Sequence, residues 1–405
     1  MLAAEAALVW RRETRAQLRA TAYLASVVAN NLPDADIVYT WITEPKPLGS
    51  LLHHRGHTHT VLVGLVMAGL FGLALARWVR RLPAAEERDT RLIFGLCLLG
   101  PLLHLLLDFG NNYGVHPFWP LTGRWFYGDS IFIIEPLWWA AAVPIVAQTV
   151  RRLWLRSVLW LLLGAVLVLT WFVPFVLPSV RLACLGLALG AWAVGRFTGE
   201  RTRVAVAIAA CALIAAVFSA GSSRAKSQLA SATQAAFPAL SARELVATPL
   251  PGNPACWDTF VVGEQGPDYL VLRATVALWP LAPQDCGTRL GEDPTALVRL
   301  LERPERQGVR WVSEYRAPLA QLRRLARDDC RFRALLEFAR LPYYSEIGRS
   351  TPSRRPGKFA GDLRYDRQPE LDFSDLELPA DPHGGECPRW IPGWQPPRAD
   401  LLLQP

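Results

Sequence analysis

The run Val61–Val79 carries one charged side chain, Arg77, near its end, and is preceded directly by Leu51-Leu52-His53-His54-Arg55-Gly56-His57-Thr58-His59-Thr60. An apolar stretch of ~20 residues can cross a bilayer as a helix, and little else can be built from it. The pattern recurs. Residues 92–109 (interrupted by Gly100-Pro101), 131–150 (with Pro136 and Pro144 inside), 157–177, a short 182–195 and 204–220 read as further spans, and Ala16–Asn31 as a short helix stopped at Pro33. The expected fold class is mostly α: a polytopic membrane helix bundle of about six to seven spans over residues 1–221. Residues 1–12 lack the basic start and the length of a signal peptide and read as the tail of a helix.

Sidedness follows from the basic residues. The net charge is +8, and all but Lys46, Lys226 and Lys358 of the 43 basic residues are Arg. Loops at one end of the spans hold Arg11, Arg12, Arg15, Arg19, Arg77, Arg80, Arg81, Arg88, Arg91, Arg151, Arg152, Arg156, Arg196, Arg201 and Arg203; those at the other hold Lys46, Arg55, Arg124 and Arg181. The first set is therefore expected in the cytoplasm, and segments 33–59 and 110–130, with everything after residue 221, outside it. No basic stripe interleaved with aromatics appears, so nucleic-acid binding is not expected.

The polar remainder is expected to be a soluble extracytoplasmic α+β domain over 222–369 and a Pro-rich irregular tail over 370–405. Residues 222–240 read as a helix, 259–262 and 269–273 as a hairpin turned by Gly263 to Asp268, 319–341 as one amphipathic helix, and 362–366 as a strand. Cys97, Cys184 and Cys211 sit singly in apolar runs and read as small core residues. Cys256, Cys286, Cys330 and Cys387 allow two disulfides in three pairings, and without a Cys-x-x-Cys pair a zinc site among them is disfavoured.

Three segments bring ionisable groups to the same membrane face: Asp34 and Asp36, the histidines from His53 to His59, and His104 with Asp108. Such groups at membrane depth are costly and usually functional. His104 and Asp108, four apart, share a helix face and suit one metal; the plain alternative is a His–Asp hydrogen bond inside a bundle. His53 to His59 cannot all be helix pairs, so that segment reads as a loop entering a helix. Arg55 could clamp an anionic group. Asp34 and Asp36 read as ligands or general bases, or as a simple Pro-Asp turn. His116 to Trp119 and Trp125 to Tyr127 read as an interfacial aromatic shelf, and Glu135 as a weaker site candidate.

These motifs resemble the YdjM-like family of inner-membrane proteins, regarded as metal-dependent hydrolases. The resemblance rests on Leu32-Pro33-Asp34-Ala35-Asp36, His54-Arg55-Gly56-His57-Thr58-His59-Thr60, His104-Leu105-Leu106-Leu107-Asp108, Asn112-Tyr113-Gly114, Pro117-Phe118 and Asp129 to Pro136, within about residues 1–150. It implies the metal ligands His54, His59, His104 and Asp108, and catalytic roles for Asp34, Asp36 and Arg55. His57 falls at a variable position and His53 outside the block. Family members begin with a Thr-His pair that has no counterpart here, and often carry Asp-Pro where this chain has Glu135-Pro136.

The expected function is a multi-pass inner-membrane hydrolase. A divalent metal, Zn or Mn by ligand type, would activate water at the outer face, acting on a membrane lipid or a lipid-linked ester or phosphodiester. The alternative is a non-catalytic, metal-stabilised scaffold whose outer domain binds an envelope partner.

Overall fold

The structure is a computed structural model and describes residues 1–150, 152–286, 297–347, 357–365, 373–379 and 386–403. The first half is helical: α1 (Leu2–Trp10), α2 (Ala16–Asn31), α3 (Lys46–His53), α4 (Val61–Val79), α5 (Glu87–Phe109), α6 (Pro136–Thr149), α7 (Leu153–Phe172), α8 (Pro178–Phe197) and α9 (Glu200–Ala236). Five of them, α4, α5, α7, α8 and α9, are long and apolar enough to cross a membrane.

Small residues set the packing. Gly64, Ala68, Gly72 and Ala76 recur every fourth position on α4 and are the buried stripe that faces α5. Gly64 lies over Pro101, and a Cβ on Gly72 would meet Phe94 at 2.9 Å. Close helix approach through small residues is how bundles pack where burial from water drives little. The α2–α5 contact is tighter still. A Cβ on Gly100 would lie 2.6 Å from the backbone carbon of Ala29. That closeness sets the end of α2, and hence Asp34, against the outgoing turn of α5.

The expected span at 131–150 is shorter than its apolar run. Ser130 and Ile131 give their N–H groups to the Gly110 carbonyl, and the helix begins only at Pro136, capped by the Glu135 carboxylate on Leu137 N (3.1 Å). The expected span 204–220 and helix 222–240 are one 37-residue helix, α9. At 1.5 Å per residue it is ~55 Å long, ~25 Å more than a bilayer core.

Beyond α9, β1 (Ser241–Leu250), β2 (Asn253–Gln265), β3 (Asp268–Ala277), β4 (Arg299–Leu300) and β5 (Val309–Pro318) form an antiparallel sheet of order β1-β2-β3-β5-β4. The hairpin is longer than expected, pairing Cys256 with Ala277 down to Gln265 with Asp268. Strand alternation gives the sheet two buried faces. Trp257, Val261, Leu270 and Leu272 pack with α9, while Phe260, Val262, Tyr269 and Val271 pack with α10 (Leu319–Asp328) and α11 (Cys330–Leu336). The expected single helix at 319–341 breaks because Asp329 caps α11, accepting from Arg331 N and Phe332 N. A second sheet follows: β6 (Pro342–Ile347), β7 (Gly357–Asp362) and β8 (Leu376–Leu378). The strand expected at 362–366 instead ends at Asp362, and Asp366 lies outside the described residues. The disulfides are Cys256–Cys286 and Cys330–Cys387.

The described residues of the tail are mostly irregular apart from β8 and α12 (Ala399–Leu402), yet they are packed. Trp394 is buried and its indole donates to the Leu52 carbonyl (2.8 Å). Leu48, Leu51, Leu52, Tyr113 and Trp125 join the core on the α10 face of the sheet, so one core runs from the sheet into the histidine loop.

Candidate metal centre

Asp36 organises the loop. It sits in a short 3-10 turn, Pro33–Val38, and is fully buried. Its Oδ2 accepts from Arg55 N (2.8 Å), Thr58 Oγ1 (3.3 Å) and His59 Nδ1 (2.9 Å), and its Oδ1 faces His54 Nδ1 (3.3 Å). Receiving Arg55 N in this way goes with a left-handed backbone at Arg55, φ +59°. Gly56 follows because a Cβ there would lie 2.7 Å from the His53 carbonyl. A 3-10 turn, His57–His59, then leads to Thr60, whose hydroxyl accepts from Val63 N and starts α4.

With Nδ1 held by Asp36, His59 presents Nε2. That atom lies 3.2 Å from His104 Nε2, 3.5 Å from Asp34 Oδ1 and 3.2 Å from Asp108 Oδ2. His104 Nε2 lies 3.5 Å from Asp34 Oδ1 and 3.2 Å from Asp108 Oδ2. Asp34, His59 and His104 thus each offer a ligand atom, all within 4.8 Å of one another. Tetrahedral Zn bonds of ~2.0–2.1 Å place ligand atoms ~3.3 Å apart, and the donor set matches that spacing. The carboxylate behind His59 is the usual support of a metal-ligating imidazole.

The electrostatics agree. Burial alone would lower the His59 pKa, but hydrogen bonds to Asp108, Asp34 and Asp36 outweigh it and raise it to about 10. Burial would raise Asp36, yet its contacts with His54 and His59 lower it to about 2. Hydrogen bonds from His104 and His59 hold Asp34 well below the usual carboxylate range.

The expected site residues divide into distinct places. Asp34, placed by sequence among the catalytic groups, stands with the ligand atoms. It is also the most open member, 39% exposed. His54, expected as a ligand, faces Asp36, with its ring edge-on to His59 and Tyr113. Arg55 is 3% exposed and its guanidinium holds Asp108 Oδ1 (2.9 Å), the Asp108 carbonyl (3.3 Å) and Asn111 Oδ1 (2.8 Å), over the Tyr113 ring. It therefore fixes Asp108. His53 bonds Thr43, and His57 packs between Trp119 and Trp394. His116 stacks on Trp394, with Nδ1 at the Arg55 carbonyl. His383 lies outside the described residues.

The remaining motif residues hold the second domain. Asp129, fully buried at φ +49°, takes both arms of Arg340 (2.7 and 2.8 Å) and Lys226 (2.7 Å). Arg340 also reaches Glu244, which Arg398 shares. Asn112 donates to Thr248, and the Glu135 carboxylate accepts from Gly252 N. Trp125, expected in an interfacial shelf, instead donates to the Glu337 carbonyl within the shared core. Sequence gave no means of pairing Asp129 with Arg340 across 211 positions.

Membrane-length helices whose ends gather histidine and aspartate around one point define a membrane protein with a polar centre at the bundle end. Residues 1–179 match the family model described as YdjM inner membrane protein, so this segment of the chain is similar to that inner-membrane family. The match contains every member of the cluster; the sheet domain lies beyond it. No curated protein and no solved structure matches the chain.

Proposed function

We propose that this chain is a membrane-bound, metal-dependent hydrolase. The observation that carries the reading is the 3.2–3.5 Å spacing of the His59 and His104 Nε2 atoms from each other, from Asp34 Oδ1 and from Asp108 Oδ2, near the edge length of a tetrahedral ligand shell. His59, His104 and Asp108 would hold Zn or Mn, a choice in keeping with imidazole and carboxylate donors. A divalent cation bound there supplies Lewis acidity, which lowers the pKa of water and polarises an ester or phosphoryl oxygen. Asp36 keeps the His59 tautomer fixed, Arg55 keeps Asp108 in place, and Asp34, the exposed carboxylate, accepts the proton of the attacking water.

The basic-residue asymmetry supports an outer-face site and an extracytoplasmic sheet domain, and two disulfides in that domain fit an oxidising compartment. Ile37, Val38 and Trp41, directly after the Asp34 turn, are 63%, 75% and 65% exposed. An apolar rim beside the polar centre suits a lipid or lipid-linked ester or phosphodiester.

A second reading has its own support: four protein donors can close a tetrahedral shell, which is the habit of structural sites. In that case the centre stabilises a scaffold for an envelope partner. Asp34→Ala separates the two. In the enzyme, bound metal by elemental mass spectrometry persists while hydrolysis of ester and phosphodiester substrates is lost. In the scaffold, metal and folded protein fall together. A wild-type protein that holds no transition metal at full folding would refute both.

A further inference from the structure

At the opposite end of α2 lies a second polar feature. A cleft of about 690 Å³ opens between the α1–α2 turn, the end of α6 and the start of α9. This is within the size range of small-molecule sites. Arg12, Arg19, Arg201 and Arg203 line it, with Glu13 and Glu200 as the opposing charges.

Those charges do not balance inside the cleft. Glu13 is taken by Arg15, which donates N, Nε and an Nη to it at 2.9, 2.9 and 2.8 Å. Arg19 is neutralised from behind by the buried Glu5 (2.9 Å), which Tyr23 also contacts. Arg203 reaches Glu5 only at 4.0 Å and the exposed Glu200 at 3.5 Å, and its buried Nε has no hydrogen-bond partner among the described residues. Arg12 and Arg201 are exposed and make no ion pair among the described residues. No side chain caps the first turn of α9 at Gly199, and Gly199 to Arg203 line the same opening.

We infer that this cleft binds a phosphoryl group. Two unpaired guanidinium forks, Arg12 and Arg201, the loosely paired Arg203 and a helix N-terminus match an anion with several oxygens better than a single carboxylate. The group can come from an anionic lipid headgroup or from a soluble phosphate compound; both present the same oxygens. This site stands apart from the metal centre and does not depend on it.

The test uses the full chain, treated with chelator, in phosphatidylcholine nanodiscs. Thermal unfolding is followed against inorganic phosphate and pyrophosphate at ionic strength matched with chloride. A parallel set of discs contains phosphatidic acid, with retained lipid read by native mass spectrometry. The comparison is Arg12→Gln/Arg201→Gln, two exposed positions whose change leaves the Glu5 network intact. Stabilisation by soluble phosphate that is about tenfold weaker in the variant assigns a soluble ligand. Stabilisation and retention only with phosphatidic acid, lost in the variant, assigns a headgroup. No stabilisation beyond chloride and phosphatidylcholine, or an identical response in the variant, overturns the inference. Arg203→Gln adds a second check: if it folds, it must weaken binding at least as much.

Discussion

Asp36→Asn isolates the charge behind His59 with almost no change of shape. An Asn carbonyl in the Oδ2 position still accepts from Arg55 N, Thr58 and His59, and its amide faces His54 Nδ1, which accepts as a neutral ring. What is lost is the anion. Charge-assisted bonds of ~1.5–3 kcal/mol become neutral ones of ~1 kcal/mol, so the metal-free protein should lose about 1–3 kcal/mol. A ligating imidazole without its carboxylate should bind metal 10–100-fold more weakly, about 1.4–2.8 kcal/mol. The same change lowers the His59 pKa and relieves proton competition, so the loss should be larger at alkaline than at neutral pH. Competition against a chromophoric chelator measures it. Unchanged affinity at both pH values, with His59→Ala abolishing binding, would refute the role given to Asp36.

With His59 raised to about 10, metal binding at neutral pH must expel its Nε2 proton, so affinity should rise with pH up to that value, about tenfold per unit per proton; calorimetry in buffers of different ionisation enthalpy counts the protons. Burial lowers His116 from 6.5 to about 3, so the unfolded chain binds the proton first; stability present above pH 6.5 should be lost as pH falls towards 3, by roughly 5 kcal/mol, and His116→Gln should flatten that slope. Arg340→Met leaves Asp129 and Glu244 with only Lys226 and Arg398, and should cost ~3 kcal/mol in detergent unfolding. Gly100→Ala drives a Cβ into the Ala29 backbone; it should lower the unfolding temperature and, by displacing Asp34 from His104, reduce hydrolysis while metal stays bound.

Much of the bundle could be read from apolar runs, because a membrane helix needs no distant partner to be recognised: Ala16–Asn31 and Val61–Val79 begin and end where their patterns do. The run 131–150 misled because the four apolar residues 131–134 before Glu135-Pro136 serve a turn pinned to Gly110, not a helix. Residue type and spacing pointed to His59, His104 and Asp108, while the division of labour between Asp34 and Asp36 was hidden. Two positions apart in one 3-10 turn, one carboxylate faces the ligand atoms and the other is buried under four donors. Only the loop's fold separates them. Arg55 looked like a free anion clamp for the same reason: its partner Asp108 is 53 positions away.

The indole of Trp394 meets the Leu52 carbonyl across 342 residues. At ~5–20 residues per second, a ribosome needs roughly 20–70 s to travel that far. For that whole interval the histidine loop exists without the wall formed by Trp394, and without the ring that stacks on His116. Completion of the wall around the histidine loop is therefore an event timed by translation: ligands made early wait for a residue made hundreds of positions later. A nonsense mutation well downstream of every ligand would still leave each nascent copy with that wall unfinished.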